Sequence, residues 1–443
     1  MKKTVLFLLF LGISTITFAQ KYTLEVRDGA TDQPIINAHI TQGKAVYLTN
    51  NKGLATLVQI SPKKVEVSHV KYHSKFIELS DAKKVTVYLT EISSLLDEVT
   101  ITSKRNLKKY IQFKSLSKIP KPIHSFGAVL KDNKLYTFGG DGSIIQESNK
   151  KGLSEMTETG EDSPLSFLTR NKPTNFYKYR KHIFAYDFAK GSWETKEIQA
   201  KPRAYHRAIP YKNEIYILGG KSLSTSKKRE LLVPQIEILN TVNDSIIVDE
   251  MNPHQGVNAE ALLFDDKLLL IGGSVKLTEQ GGKEYSDKIH FYDFETGYWY
   301  LLTTMSKGKE TSGIIVDHTL YLFGGHRNKS LTEIESFDLN TGKWSKEGDL
   351  FTAMEKPAIT WYDKTIYLFE KDRLVTYHTS TKELREYRIE LPFYFSEMFY
   401  KDDKLYIVGG TNKKNFEDIP QRNFVEISLD EFDTTRVQNE KVL

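Results

Sequence analysis

From residue 21 onward the hydrophobic positions come in short runs, many of period two, cut by Gly, Asp, Asn and Pro. Residues Tyr22 to Val26 alternate, and Asp28-Gly29 and Asp32-Gln33-Pro34 then supply turn chemistry. Strands are predicted at Ile35 to Ile40, Val65 to Val70, Lys75 to Leu79 and Val85 to Leu89, with a hairpin-like turn at Asn50-Asn51-Lys52-Gly53. Short strands at this spacing predict a small β-sandwich over residues 20–103.

Beyond it one unit repeats. An apolar run, a turn with Asp or Asn and Lys, and a second apolar run end in Gly-Gly. The second run reads Leu135-Tyr136-Thr137-Phe138-Gly139-Gly140, and it returns ending at Gly219-Gly220, Gly272-Gly273, Gly324-Gly325 and Gly409-Gly410. A copy at Ile366-Tyr367-Leu368-Phe369-Glu370 lacks the glycines. A second half follows the doublet: His290-Phe291-Tyr292-Asp293 leads through Gly297 to Trp299, and Ser336-Phe337-Asp338 leads through Gly342 to Trp344. Ile183 to Asp187 leads likewise to Trp193. A period of about 50 residues with four strands per unit predicts a β-propeller. Six blades are expected, with five or seven as alternatives. The three tryptophans should pack between blades. Either Thr435 to Val442 or Tyr110 to Leu116 would supply the last blade's outer strand, the second being favoured.

The ordered glycine doublet, aromatics and Trp resemble the kelch-repeat family over about residues 110–443. In the first region, Val26-Arg27-Asp28, Gln33-Pro34-Ile35, Asn37-Ala38 and Val67-Ser68-His69-Val70-Lys71-Tyr72 resemble the carboxypeptidase regulatory-like domain. That resemblance implies a transthyretin-like (prealbumin-like) sandwich used for docking rather than a peptidase. The following Leu96-Asp97-Glu98-Val99-Thr100-Ile101-Thr102 is similar to the segment that links such domains to the plug of TonB-dependent receptors. The expected organisation is a leader at 1–19, the sandwich at 20–103 and the propeller at 104–443.

The leader is read from Met1-Lys2-Lys3, an apolar run from Thr4 to Thr17, and Thr17-Phe18-Ala19 before a mature start at Gln20. The run is too short for a stable membrane span, and no later segment reaches the ~18 apolar residues one requires. Export follows, to the periplasm, the surface or an outer-membrane complex. Cysteine is absent. This excludes disulfides, thiolate metal sites, lipoprotein anchoring and the Tyr–Cys cofactor of galactose-oxidase-like kelch enzymes. The net charge of +5 is spread thinly, with short clusters such as Lys413-Lys414, so no nucleic-acid partner is expected. The 11 histidines show no metal-ligand spacing, and no metal or cofactor is expected.

Two regions are candidates for binding. The loop after Gly140, residues 141–182, far exceeds its counterparts. Its aromatic end, with Phe176, Tyr177 and Tyr179, suits loop contacts. Twelve residues before the first glycines stand Arg207, Glu260 and Glu397, and two residues before the equivalent positions stand Tyr205, Glu310 and Glu355. Side chains two apart share a strand face, so these residues, with His206 beside them, are expected to line one mouth of the channel. Two functions fit. One is a binding scaffold of the cell envelope that grips a protein or glycan on its loop face. The other is a sugar-modifying enzyme resembling the periplasmic sialic acid mutarotases, with Arg207 clamping a carboxylate and Glu260 or Glu397 as acid/base.

Overall fold

The structure is a computed structural model that describes residues 21–58, 63–79, 84–91, 107–146, 177–226, 229–249, 252–277, 282–414 and 417–443. The expected leader, the plug-linker-like segment 96–102 and Phe176 lie outside the described residues. The chain divides into two units, one ending at Arg105 and one beginning at Asn106. Among the described residues no helix is long and apolar enough to cross a membrane.

The first unit pairs two sheets over one core. Tyr22–Asp28 lies between Leu54–Leu57, antiparallel to it, and Lys84–Leu89, parallel to it. The other sheet runs Ala45–Leu48, His39–Gln42, Lys64–His69, Tyr72–Glu78. Leu24, Val26, Ile40, Leu57 and Val67 are buried between them. The strand expected from Ile35 begins only at His39. Asn37 takes a positive φ of 58°, and Thr49 Oγ1 donates to the Ile35 carbonyl while accepting from Ala38 N–H, so a side chain does the pairing there. The Asn50 turn forms as expected. Gly53 (φ 71°) is required in it, because a Cβ would stand 2.6 Å from the Val26 carbonyl oxygen.

Among the described residues the second unit is a ring of six blade sheets, with two smaller sheets in its loops. The inner strands are Gly127–Lys131, Ala204–Tyr211, Glu260–Phe264, Glu310–Val316, Ala358–Tyr362 and Glu397–Lys401. Each begins its own antiparallel sheet. One apolar cluster fills each gap between blades. Val129 and Phe138 meet Ile215 and Ile217 between blades one and two, and Leu135 and Phe184 meet Tyr406 and Phe424 between one and six. A four-stranded blade cannot cover both of its faces, so only the closed ring removes this surface from water. Trp193 packs at the junction with the sixth blade, Trp299 with the second and Trp344 with the third.

Both candidate closing segments are used, on neighbouring blades. Lys114–Ser115 supplies the fourth strand of blade six, pairing with Glu426 and Val425. The chain end, Asn439–Val442, pairs instead with Glu383–Phe393 of blade five. That blade is the degenerate copy. Its strand Thr365–His378 pairs with the inner strand through 365–369 and with the next strand through 371–377, turning at Lys371 (φ 62°). It does the work of two strands without a loop, so it needs no glycine doublet. In the other repeats the doublet is steric. At Gly325 (φ 113°) a Cβ would run into the Glu310 carbonyl of the adjacent inner strand.

Candidate functional site

Four residues at the inner-strand ends take left-handed backbone: Ser125 (φ 49°), Tyr205 (φ 61°), Asn258 (φ 52°) and Phe395 (φ 54°). This conformation is costly for Tyr and Phe. A belt of main-chain bonds holds it: Asn258 N–H donates to Tyr205 O (2.9 Å), Tyr205 N–H to Ser125 O (2.7 Å) and Ser125 N–H to Phe395 O (3.2 Å). The belt links blades three, two, one and six around the channel mouth.

Below it, side chains from four blades meet. Arg207 donates to Glu397 Oε1 (2.5 Å) and Glu260 Oε2 (2.7 Å). Lys356 Nζ donates to the same Glu260 oxygen (3.0 Å) and to the Thr311 carbonyl (2.5 Å). Two cations thus face two carboxylates, and all four are shielded from solvent. Burial acts against charge on Glu260, but Arg207 and Lys356 outweigh it and hold the carboxyl below its ordinary range. On Glu397 burial wins and the pKa rises. Burial, with Arg207 nearby, pulls Lys356 down to about 8. The space lined by Tyr205, Arg207, Asn258, Lys356, Phe395 and Glu397 is about 10 Å³, room for roughly one water.

The expected convergence is therefore split. Tyr205, Arg207, Glu260 and Glu397 come together, while Glu310 and Glu355 do not touch Arg207. Glu310 accepts from Asn258 Nδ2 (2.8 Å), Lys283 Nζ (2.8 Å) and the Ser274 hydroxyl, on the loop side of the belt. Glu355 faces His326 Nδ1 at 3.6 Å. Both escape the belt because blades four and five depart from the common backbone. Glu310 is already in strand pairing with His326, and the N–H groups of Glu355 and Lys356 donate to the Glu370 carboxylate. Burial outweighs those donors and pushes Glu370 up to about 7. His206 is a structural group: its Nε2 accepts from Gly127 N–H (3.1 Å), and burial, with Arg203 and Arg207 beside it, keeps it neutral.

Tyr179 is packed rather than presented. It donates to Glu230 Oε1 (2.5 Å), whose other oxygen accepts from Lys221 Nζ (2.7 Å). Lys221 in turn lies over the Tyr205 ring, 4.5 Å from its centre, and Tyr205 donates to Asp141 Oδ2 (3.0 Å). Tyr177 is exposed. The two ends of the long loop are clipped together, since Asp141 Oδ1 accepts from Ser143 N–H and Ser143 Oγ from Lys178 N–H.

Sequence reasoning missed two things. Lys356 sits at the odd position beside Pro357, where strand parity points it away from the channel. That segment is not strand, because proline cannot donate to a ladder. The larger omission is a recess of about 540 Å³ off the axis, at the loop side of blades two and three. It is lined by the hairpin residue Leu232, by Pro253, His254 and Gln255 before the third inner strand, and by Val275 and residues 284–288 from the loop after Gly273. His290 completes it, its ring stacked on His254 at 3.5 Å and 10°. Burial lowers both imidazoles, His290 to about 4. Among the described residues no group of three or more His, Asp or Glu is placed to hold a metal ion.

The profile described as the KLHDC2/KLHL20/DRC7 Kelch-repeats domain matches residues 170–370. The solved structure titled "Structure of YjhT" aligns with a TM-score of 0.53 at 12% identity, covering 73% of this chain and 99% of that one. At that identity the likeness concerns the fold. No curated protein matches the chain. The second unit is a kelch-type β-propeller.

Proposed function

We propose that this chain is an exported binding protein of the cell envelope, whose propeller takes a protein or glycan on its loop face. The amino-terminal sandwich, with its resemblance to carboxypeptidase regulatory-like domains, is the docking module in this reading. One observation carries it. The charges at the channel mouth are spent on one another and leave room for about one water, whereas the loop side holds a recess of about 540 Å³. A kelch propeller is a rigid frame for such loops, and function on propellers of this kind resides in the loops rather than the blades.

The alternative, a sugar-modifying enzyme with Arg207 as a carboxylate clamp, needs that guanidinium free. Here both its terminal nitrogens are engaged by Glu260 and Glu397. A substrate carboxylate would have to displace a buried, hydrogen-bonded one.

The test is photo-crosslinking in the native cell. A crosslinker is placed in turn at Val275 on the loop side and at Trp361 by the opposite turns, and the cells are fractionated. Adducts from Val275 in the envelope fraction, with none from Trp361, are expected. Recovery of the chain in the cytosol, or adducts from the Trp361 side alone, overturns the reading.

A further inference from the structure

The recess between blades two and three contrasts with the ion-paired clusters of the propeller. Several of its polar side chains have no partner among the described residues. Arg203 has Glu237, Lys309 has Glu335, Glu310 has Lys283, and Arg207 has two carboxylates. In the recess, by contrast, Gln255, Asp287 and Lys288 make no side-chain hydrogen bond or ion pair among the described residues. His254 and His290 have each other's ring faces, but their ring nitrogens have no partner among the described residues. Lys288 is exposed, but Gln255, Asp287 and both imidazoles are half-buried, and half-buried polar groups without partners are costly in an interior and ordinary in a site that meets a polar ligand.

The lining selects the class of ligand. With both imidazoles neutral, the charges of the lining are those of Glu284, Asp287 and Lys288, and Glu284 lies 3.9 Å from Lys276 Nζ, so the recess carries no excess of positive charge. This disfavours an anion. The apolar members, Leu232, Pro253, Leu270 and Val275, come from four separate segments, so they offer small patches rather than one greasy surface. Mixed donors and acceptors with dispersed apolar spots complement a molecule whose hydroxyls and C–H faces alternate. The volume, about 540 Å³, falls within the range of ligand pockets.

We propose that this recess is a binding site for an uncharged saccharide, with Asp287, Gln255 and the His254–His290 pair as its hydrogen-bonding groups. The proposal rests on the loop-face reading above and narrows its protein-or-glycan alternative to one ligand and one place. Asp287 accepts from sugar hydroxyls, the amide and the neutral imidazoles each both donate and accept, and Lys288 donates at the rim.

The experiment is an NMR titration of the full chain, following the imidazole signals of His254 and His290, assigned through His254→Ala and His290→Ala. The probes are cellobiose, chitobiose, maltose and galactose as neutral sugars, galacturonic acid and N-acetylneuraminic acid as charged ones, and a short unstructured peptide. Saturable movement of both signals with a neutral sugar is expected. Asp287→Asn should weaken that binding by about tenfold, the equivalent of one lost hydrogen bond, while leaving the rest of the spectrum unchanged. Binding of an acidic sugar or the peptide at these histidines, with no neutral sugar bound, overturns the ligand class. A neutral sugar that binds without moving either signal overturns the location and leaves the glycan reading standing. No binding of any probe at millimolar concentration overturns the proposal. The crosslinking experiment then judges the loop-face reading by itself.

Discussion

The channel mouth and the off-axis recess are built from the same ingredients on the same propeller, and they treat polar groups in opposite ways. At the mouth, two cations and two carboxylates from four blades satisfy one another around a space for about one water. In the recess, an amide, two carboxylates, a lysine and two neutral imidazoles line about 540 Å³, and of these only Glu284 has an ion-pair partner among the described residues. The first arrangement is a clamp that joins blades, and the second is the surface proposed to take a ligand. A charged residue pointing to a propeller axis is thus weak evidence of a ligand until its neighbours are known. The decisive quantity is the balance of paired and unpaired groups.

The sharpest way to break this comparison is to remove one member of the clamp. Glu260→Ala leaves Arg207 and Lys356 facing each other with less compensation, which should cost about 3–5 kcal/mol, read as a lower denaturation midpoint. A loss under about 1 kcal/mol would mean that the clamp is solvated and available to a ligand.

Glu370 tests the same side of the ring through pH. Its folded pKa is raised to about 7 from 4.5. Between those values the native state holds a proton that the unfolded chain has lost. Stability should therefore fall as pH rises from about 4.5 through 7, by about 3 kcal/mol at most. Unfolding curves at pH 5 and pH 8 measure this, and Glu370→Gln should flatten the difference. A wild-type difference that persists in the variant assigns the effect elsewhere.

Trp193 carries a smaller share. Its Nε1 donates to the Ser117 carbonyl (2.8 Å) across the ring closure. Trp193→Phe keeps most of the packing and loses that bond, for about 1 kcal/mol in thermal or chemical unfolding. The smallest effects belong to the recess. Asp287→Asn and Lys288→Ala should change stability by within about 0.5 kcal/mol, because neither side chain has a bond to lose among the described residues. A large loss in either variant would show a hidden structural role and remove the contrast between the two regions.

Much of the fold was legible because propeller strands are local objects. Period-two runs, the glycine doublets and the recurrent Trp are set by contacts within a blade or with its neighbour, and each leaves a mark in its own stretch of chain. The parity rule along the inner strands likewise brought Arg207, Glu260 and Glu397 together from 190 residues of separation. The rule failed where the backbone left strand geometry, at Lys356 before Pro357 and at Glu355, whose N–H turns to Glu370. The same departure kept Glu310 out of the clamp.

By itself, then, the sequence determined the repeat, the all-β class, the inter-blade aromatic packing and three members of the channel cluster, because these depend on side-chain alternation and short spacing. Only the tertiary structure decided that both ends of the propeller chain are used on adjacent blades, with Lys114–Ser115 completing the sixth and Asn439–Val442 flanking the fifth. It alone decided that the channel charges neutralise one another and that the recess at His254 and His290 exists. Those outcomes depend on which loops meet once six blades close into a ring, and loop meetings between distant segments leave no period to read.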